Sequence, residues 1–292
     1  MEKIDNNTMQ SSNKQGWLIA SLGWITMVLG LFLAIVIGHF SKQEGLSVRI
    51  IQSITTFVII APLAYIIMKR YKLQDSLLPF NRRAPLYFLC GALLPVALCS
   101  FGVWLAIQMG WITDLKWNFS FDMIIIIAVQ SLIALGYEAI PEELTLRGLV
   151  FSGLRRHWSA FLATITQLIL FILMPMTVNV LLYLVGLPIG PSGIPYYLLL
   201  FFFALALQLL RIITGSLWAS IGFHLAYLLT NRYVFSYEDR LLYFTEEVPG
   251  VTGVIVTMGI VVLGSCIVLG IIQTWRFFRN QKINKGNATV QG

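Results

Sequence analysis

Charge is scarce in this sequence. Of its 292 residues, 11% are charged and 58% are apolar. That is less than half the charge of an average soluble domain. A water-soluble fold of this length cannot hide so much apolar surface, which leaves an all-α, polytopic membrane protein. Cysteine is also sparse. Cys90, Cys99 and Cys266 all lie in apolar runs. With no CxxC, no zinc-ribbon spacing and no even framework of loop cysteines, disulfide scaffolds and zinc fingers are excluded, and the three read as small buried hydrophobes. Basic residues exceed acidic ones by 7. They sit in short connections and not in one patch, which excludes nucleic acid as a partner. There is no soluble domain, low-complexity tract or internal repeat.

What is present is a series of long apolar runs. A membrane-crossing helix needs roughly 20 such residues. Eight spans are predicted near 17–40, 48–68, 86–111, 121–141, 159–185, 195–213, 215–233 and 251–275. The polar start, "MEKIDNNTMQSSNKQG", is too long for the n-region of a signal peptide, so the first run reads as a retained helix. "GLPIGPSGIP" between the fifth and sixth runs reads as a tight turn outside the lipid. With both termini in the cytosol, 15 of the 20 Lys and Arg residues fall on the cytosolic side. The five on the outer side are Lys42, Arg49, Lys116, Arg232 and Arg240. That is the positive-inside asymmetry of a multi-pass cell-membrane protein, and an odd number of spans destroys it.

Polar residues inside the spans carry the functional signal. "YEAIPEELTLRG" puts Glu138, Glu142, Glu143 and Arg147 at the end of the fourth run. Glu138 and Glu142 share one helix face. Glu143 precedes Arg147 by four, the order that favours pairing. Pro141 removes the hydrogen bond to the Tyr137 carbonyl and predicts a kink. Carboxylates at such depth are costly and mark cavities or functional sites; the bland alternative is a structural cluster at the membrane edge. Of the three histidines, His39 reads as interfacial and His157 as a solvated surface residue. His224, about ten residues into the seventh run, reads as facing a cavity, or as a buried histidine with one hydrogen bond.

"EELTLRG" matches the EExxxR motif of the CAAX-protease and bacteriocin-processing (CPBP, or Abi) family of intramembrane proteases. "ITGSLWASIGFHLAYLLTN" resembles that family's last core helix. The resemblance covers about 120–235. It implies a four-helix catalytic core open to the cytosol. The spans and the charge count place around it a cytosolic tail (1–16), three spans (17–119), an outer loop with a last span (236–275) and a second cytosolic tail (276–292). It implies that Glu142 is the general base, that Glu143 with Arg147 supports it, and that His224 orients the water or the oxyanion. A base working near neutral pH needs apolar surroundings or a second carboxylate, and an oxyanion needs fixed donors in a site of low dielectric. Within the family a divalent metal such as zinc is argued both for and against; the resemblance implies Glu142 and His224 as its ligands here, with Glu138 as a spare.

The sequence departs from the family at two positions. The FxxxH motif has Phe171, but its histidine position is Pro175. The Asn or Asp four residues after the last histidine is Leu228. Asn179 and Asn231, each about one turn further along, are the nearest substitute donors. Three functions follow. The first is a protease acting on a membrane-associated or lipidated peptide, in bacteriocin processing or self-immunity. The second is a catalytically impaired relative that binds a membrane partner as an immunity or regulatory protein. The third is a small transporter with a glutamate proton site, against which stands the lack of repeated halves and broken helices.

Overall fold

A computed structural model describes residues 6–73, 82–236 and 240–290. The first five residues of the N-terminal tail, positions 74–81 of the basic connection after the second span, and the last two residues lie outside them. The chain is helical nearly throughout. In chain order the helices are α1 (Asn6–Phe40), α2 (Gly45–Arg70), α3 (Ala84–Gln108), α4 (Phe121–Leu154), α5 (Ala160–Leu184), α6 (Ile194–Thr214), α7 (Leu217–Thr230) and α8, which starts at Val251 and ends with Gly264–Val290. Seven of them are long and apolar enough to cross a membrane, and α7 is the short one. Its 14 residues continue into a π-helical stretch, Asn231–Ser236. The eight predicted spans therefore correspond to eight helices. Three run past their expected ends: α1 begins well before residue 17, α4 ends well after 141, and α8 continues beyond 275.

The ends of the helices follow from local sequence. Ser120, Ser159 and Ser216 cap α4, α5 and α7 by accepting from the backbone N–H of Met123, Leu162 and Trp218, which satisfies donors that a helix start otherwise leaves open. Between α6 and α7 the chain turns at Gly215, whose φ of 70° only glycine adopts without strain. A two-stranded antiparallel ribbon joins the connections after α3 and α7. It pairs β1 (Ile112–Trp117) with β2 (Leu242–Glu246), with Ile112 opposite Glu246 and Trp117 opposite Leu242.

The two faces of the bundle are distinct. On one, the start of α1 meets the end of α4: Gly16 lies against Gly153 and His157. The side chain of His157 is half-buried there with its Nε2 covered, so the expectation of a solvated histidine is corrected. The guanidinium of Arg276 donates to the Ile213 carbonyl on this same face. The opposite face carries the α1–α2 and α5–α6 connections and the ribbon.

Small residues set the closest helix contacts. A Cβ on Gly91 of α3 runs into the Ala219 backbone carbonyl of α7, and one on Gly222 of α7 runs into the Phe88 carbonyl of α3. Two backbones can approach this closely only where side chains are missing. Gly222→Ala is expected to force the helices apart and cost about 1–3 kcal/mol. A thermal melt of the purified protein in detergent checks this.

Candidate active site

The fourth helix is built in pieces. It is α-helical over Phe121–Ala134, π-helical over Leu135–Ala139, α-helical for Ile140–Glu142, and π-helical again over Glu143–Val150. Pro141 has no N–H for the Tyr137 carbonyl, and the helix absorbs that break by widening on both sides. Such π-turns gather at functional sites. Here one ends three residues before Glu142 and the other begins at Glu143.

The two adjacent glutamates have different surroundings. Glu143 is fully buried, and its Oε1 accepts from Arg147 Nη1 at 3.0 Å. The same oxygen lies 3.2 Å from His224 Nδ1. Arg147, also fully buried, stacks its guanidinium 4.4 Å from the centroid of the Phe171 ring. The phenylalanine of the FxxxH motif is therefore a platform for the arginine. His224 is 2% exposed and meets the Phe203 ring edge-on at 4.9 Å. With Nδ1 held by Glu143, Nε2 is the ring nitrogen left to meet water or substrate. Glu142 is half-buried, and its carboxylate makes no hydrogen bond with any described residue. It faces a cavity of about 430 Å³ that His224 also lines.

This cavity brings together most of the residues singled out in the sequence. Glu138, Glu142, His224, Asn179 and Asn231 line it, and so do Pro175 and Leu228. The donors missing from the two motif positions are thus missing at the site itself. Asn179 is committed elsewhere: its Oδ1 accepts from the Gly190 N–H at 2.9 Å, and its Nδ2 lies 3.4 Å from the Gly190 and Pro191 carbonyls. It ties α5 to the α5–α6 connection. Glu138 forms an ion pair with Arg232. Tyr137, Tyr196 and Tyr227 also line the cavity, and sequence reasoning passed over them. Their signal, an aromatic ring with a polar end in an apolar run, looks the same as that of an interfacial anchor.

The set Glu138, Glu142 and His224 does not assemble into a metal site. Glu138 is held by Arg232, and the His224 Nδ1 edge is held by Glu143. Among the described residues no group of three His, Cys, Asp or Glu side chains is placed to hold an ion, whereas a catalytic zinc needs three protein ligands and an open position. The described residues do not fit a metal.

The cavity lies in the half of the bundle that carries the α5–α6 connection, and Gly190 and Pro191 line it there. That is the face opposite the start of α1. The charge asymmetry puts this face outside the cytosol, while the resemblance implies a cytosolic opening. For this cavity the two expectations are incompatible.

Residues 123–230 match the family model of type II CAAX prenyl endopeptidase Rce1-like proteins. The similarity is confined to that segment, 108 of the 292 residues. The match agrees with the resemblance read from the EExxxR motif, and it takes in α4 from its first turn, α5, α6 and α7. Glu142, Glu143, Arg147 and His224 all belong to this Rce1-like segment. No curated protein matches the chain. Part of the cavity wall, Leu31 and Ile35 of α1, comes from outside the segment.

Proposed function

We propose that this membrane protein is a CAAX-type intramembrane endopeptidase in which Glu142 activates the attacking water. The observation that carries the reading is the division of labour between neighbours. Glu143 is consumed by Arg147 and His224, while Glu142, without a hydrogen-bond partner among the described residues, lines a cavity. In the reaction, water bound to Glu142 attacks the peptide carbonyl and its proton passes to the carboxylate. His224, its ring fixed through Nδ1, orients that water from Nε2. Tyr196 donates a hydrogen bond to the oxyanion. The proton on Glu142 then passes to the leaving amine. The walls of Leu31, Ile35, Met174, Val178, Leu199 and Leu200 suit apolar side chains of a membrane-associated or lipidated peptide. The charge count supports both termini in the cytosol, with the cavity turned away from it.

A second reading is favoured by Pro175 and Leu228. A catalytically impaired relative would keep the cavity and bind a membrane partner without cleaving it. Incubating the purified protein with a fluorescence-quenched peptide and reading products by mass spectrometry separates the two. Specific cleavage products support the protease. An inert wild type that binds the peptide supports the binding protein.

A further inference from the structure

A belt of polar side chains lies beneath the floor of the cavity. On α5 and α6 the cavity wall runs no further towards the face that carries the start of α1 than Phe171 and Phe203. Their rings close it there, with centroids 6.4 Å apart. The Arg147 guanidinium packs against Phe171 and takes no part in the cavity wall. About one turn beyond the two rings, α5 carries Gln167 and α6 carries Gln208. The start of α5 and the end of α6 share one face, so both glutamines stand about two turns, roughly 10 Å, inside it. The ring contact fixes the antiparallel register of the two helices and sets the two carboxamides at one level. Another turn outward the same helices are polar again, at Thr164 and Arg211. Arg211 lies within reach of the Glu143 charge, which puts this end of the belt near the buried pair.

The belt is short of partners. Gln167 and Gln208 are both 0% exposed. Among the described residues none makes a hydrogen bond to either carboxamide, and the same holds for Thr164 Oγ1, Arg211 Nε, Glu143 Oε2 and Arg147 Nε and Nη2. Inside a membrane bundle such atoms must be satisfied by the protein or by ordered water. A reciprocal pair of the two carboxamides uses one donor and one acceptor site on each, half of what they offer. It leaves Thr164, Arg147 and Glu143 as they are. A buried water makes two to four hydrogen bonds, and this belt offers it donors and acceptors together.

We infer that Gln167 and Gln208 hold a cluster of ordered water beneath the floor, and that the cluster supplies the water consumed at Glu142. The site stands on the unpartnered groups; the supply role rests on the proteolytic reading. Each peptide bond cleaved consumes one water, and a peptide filling the apolar cavity displaces the water that stood there. A supply from below the floor reaches the reacting bond while substrate blocks the cavity. Glu143 joins the two compartments. Its Oε1 is shared by Arg147 and His224, and its Oε2 is left for the cluster. Water crosses the floor beside His224, which meets both Glu143 and the Phe203 ring.

The test has two arms, both on the full-length protein in detergent. In the first, a hydroxyl-radical pulse is given in heavy-oxygen water, and oxidised residues are read by mass spectrometry. Leu168 and Leu207, each 0% exposed and next to a glutamine in the chain, are the reporters. The wild type is expected to take up the heavy label at both, and Gln167→Leu with Gln208→Leu to lower it at least fivefold. An unlabelled wild type overturns the site and leaves the carboxamides paired dry, and this reading needs no variant to fold. Labelling that falls less than fivefold in the double variant overturns it as well. In the second arm, the same proteins meet a quenched peptide. The double leucine variant is expected to lose at least tenfold in kcat with KM within twofold of wild type. Gln167→Asn with Gln208→Asn, which keeps both carboxamides, is expected to regain most of that loss. A smaller fall in kcat, a KM outside that range, or a loss that the asparagines do not relieve overturns the supply role. If the wild type cleaves nothing, the proteolytic reading and the supply role fall together, and the labelling decides the water site by itself.

Discussion

Glu142→Gln is expected to abolish peptide cleavage while leaving the protein folded. A positioned general base contributes about 10²–10⁴ in rate, and an amide oxygen cannot take up the water proton. The substitution keeps the shape of the side chain. It also leaves the fully buried contacts of Glu143 with Arg147 and His224 untouched, because Glu142 makes no hydrogen bond with them. A thermal melt within a degree or two of wild type, alongside at least a hundredfold fall in kcat, is the expected pair of results. Activity within tenfold of wild type moves the base elsewhere. Normal activity lost together with folding leaves Glu142 as a structural group.

The largest stability effect is expected at Arg147. Arg147→Met removes the cation from a wholly buried pair and strands the Glu143 carboxylate in the core. Breaking a buried ion pair from one side costs about 3–5 kcal/mol, whereas replacing both partners with apolar groups of similar size is often neutral. The pair here is also incompletely satisfied: Glu143 Oε2, Arg147 Nε and Arg147 Nη2 have no hydrogen-bond partner among the described residues. A double variant, Glu143→Leu with Arg147→Met, is therefore expected to recover most of the stability lost by Arg147→Met alone, without recovering cleavage, because His224 then loses the group that fixes its ring. Denaturation of the four members of this cycle in one detergent measures both numbers. An Arg147→Met protein as stable as wild type removes the pair from the structural account.

The helices were legible because apolar length is a local quantity, although only seven of the eight are long and apolar enough to cross a membrane. Each of the eight runs produced a helix, and the Gly and Pro of "GLPIGPSGIP" produced the turn between α5 and α6. The Glu143–Arg147 contact was legible for a similar reason, since a spacing of four on a helix decides it. What escaped was non-local. The ribbon pairs Ile112–Trp117 with Leu242–Glu246, and neither segment alone reveals its partner. The tie made by Asn179 and the place of Tyr196 in the cavity wall depend on which side chains converge in space. The loss of the Pro141 hydrogen bond was foreseen as a kink, but the chain's response, two π-helical stretches, depends on how α1, α2 and α7 pack around it. Charge counting yields an expected orientation but carries no information about which end of a cavity is open.

The crossing of α3 and α7 at Gly91 and Gly222 has a consequence for how this architecture can change. Phe88 and Gly91 precede the Rce1-like segment, yet they brace the helix that holds His224 two residues beyond Gly222. The imidazole is thus registered against a strut that the family motif does not include. Grafting residues 123–230 onto foreign flanking helices would carry every motif across and still misplace the histidine, unless the new third span also offered a groove bare of side chains at that depth.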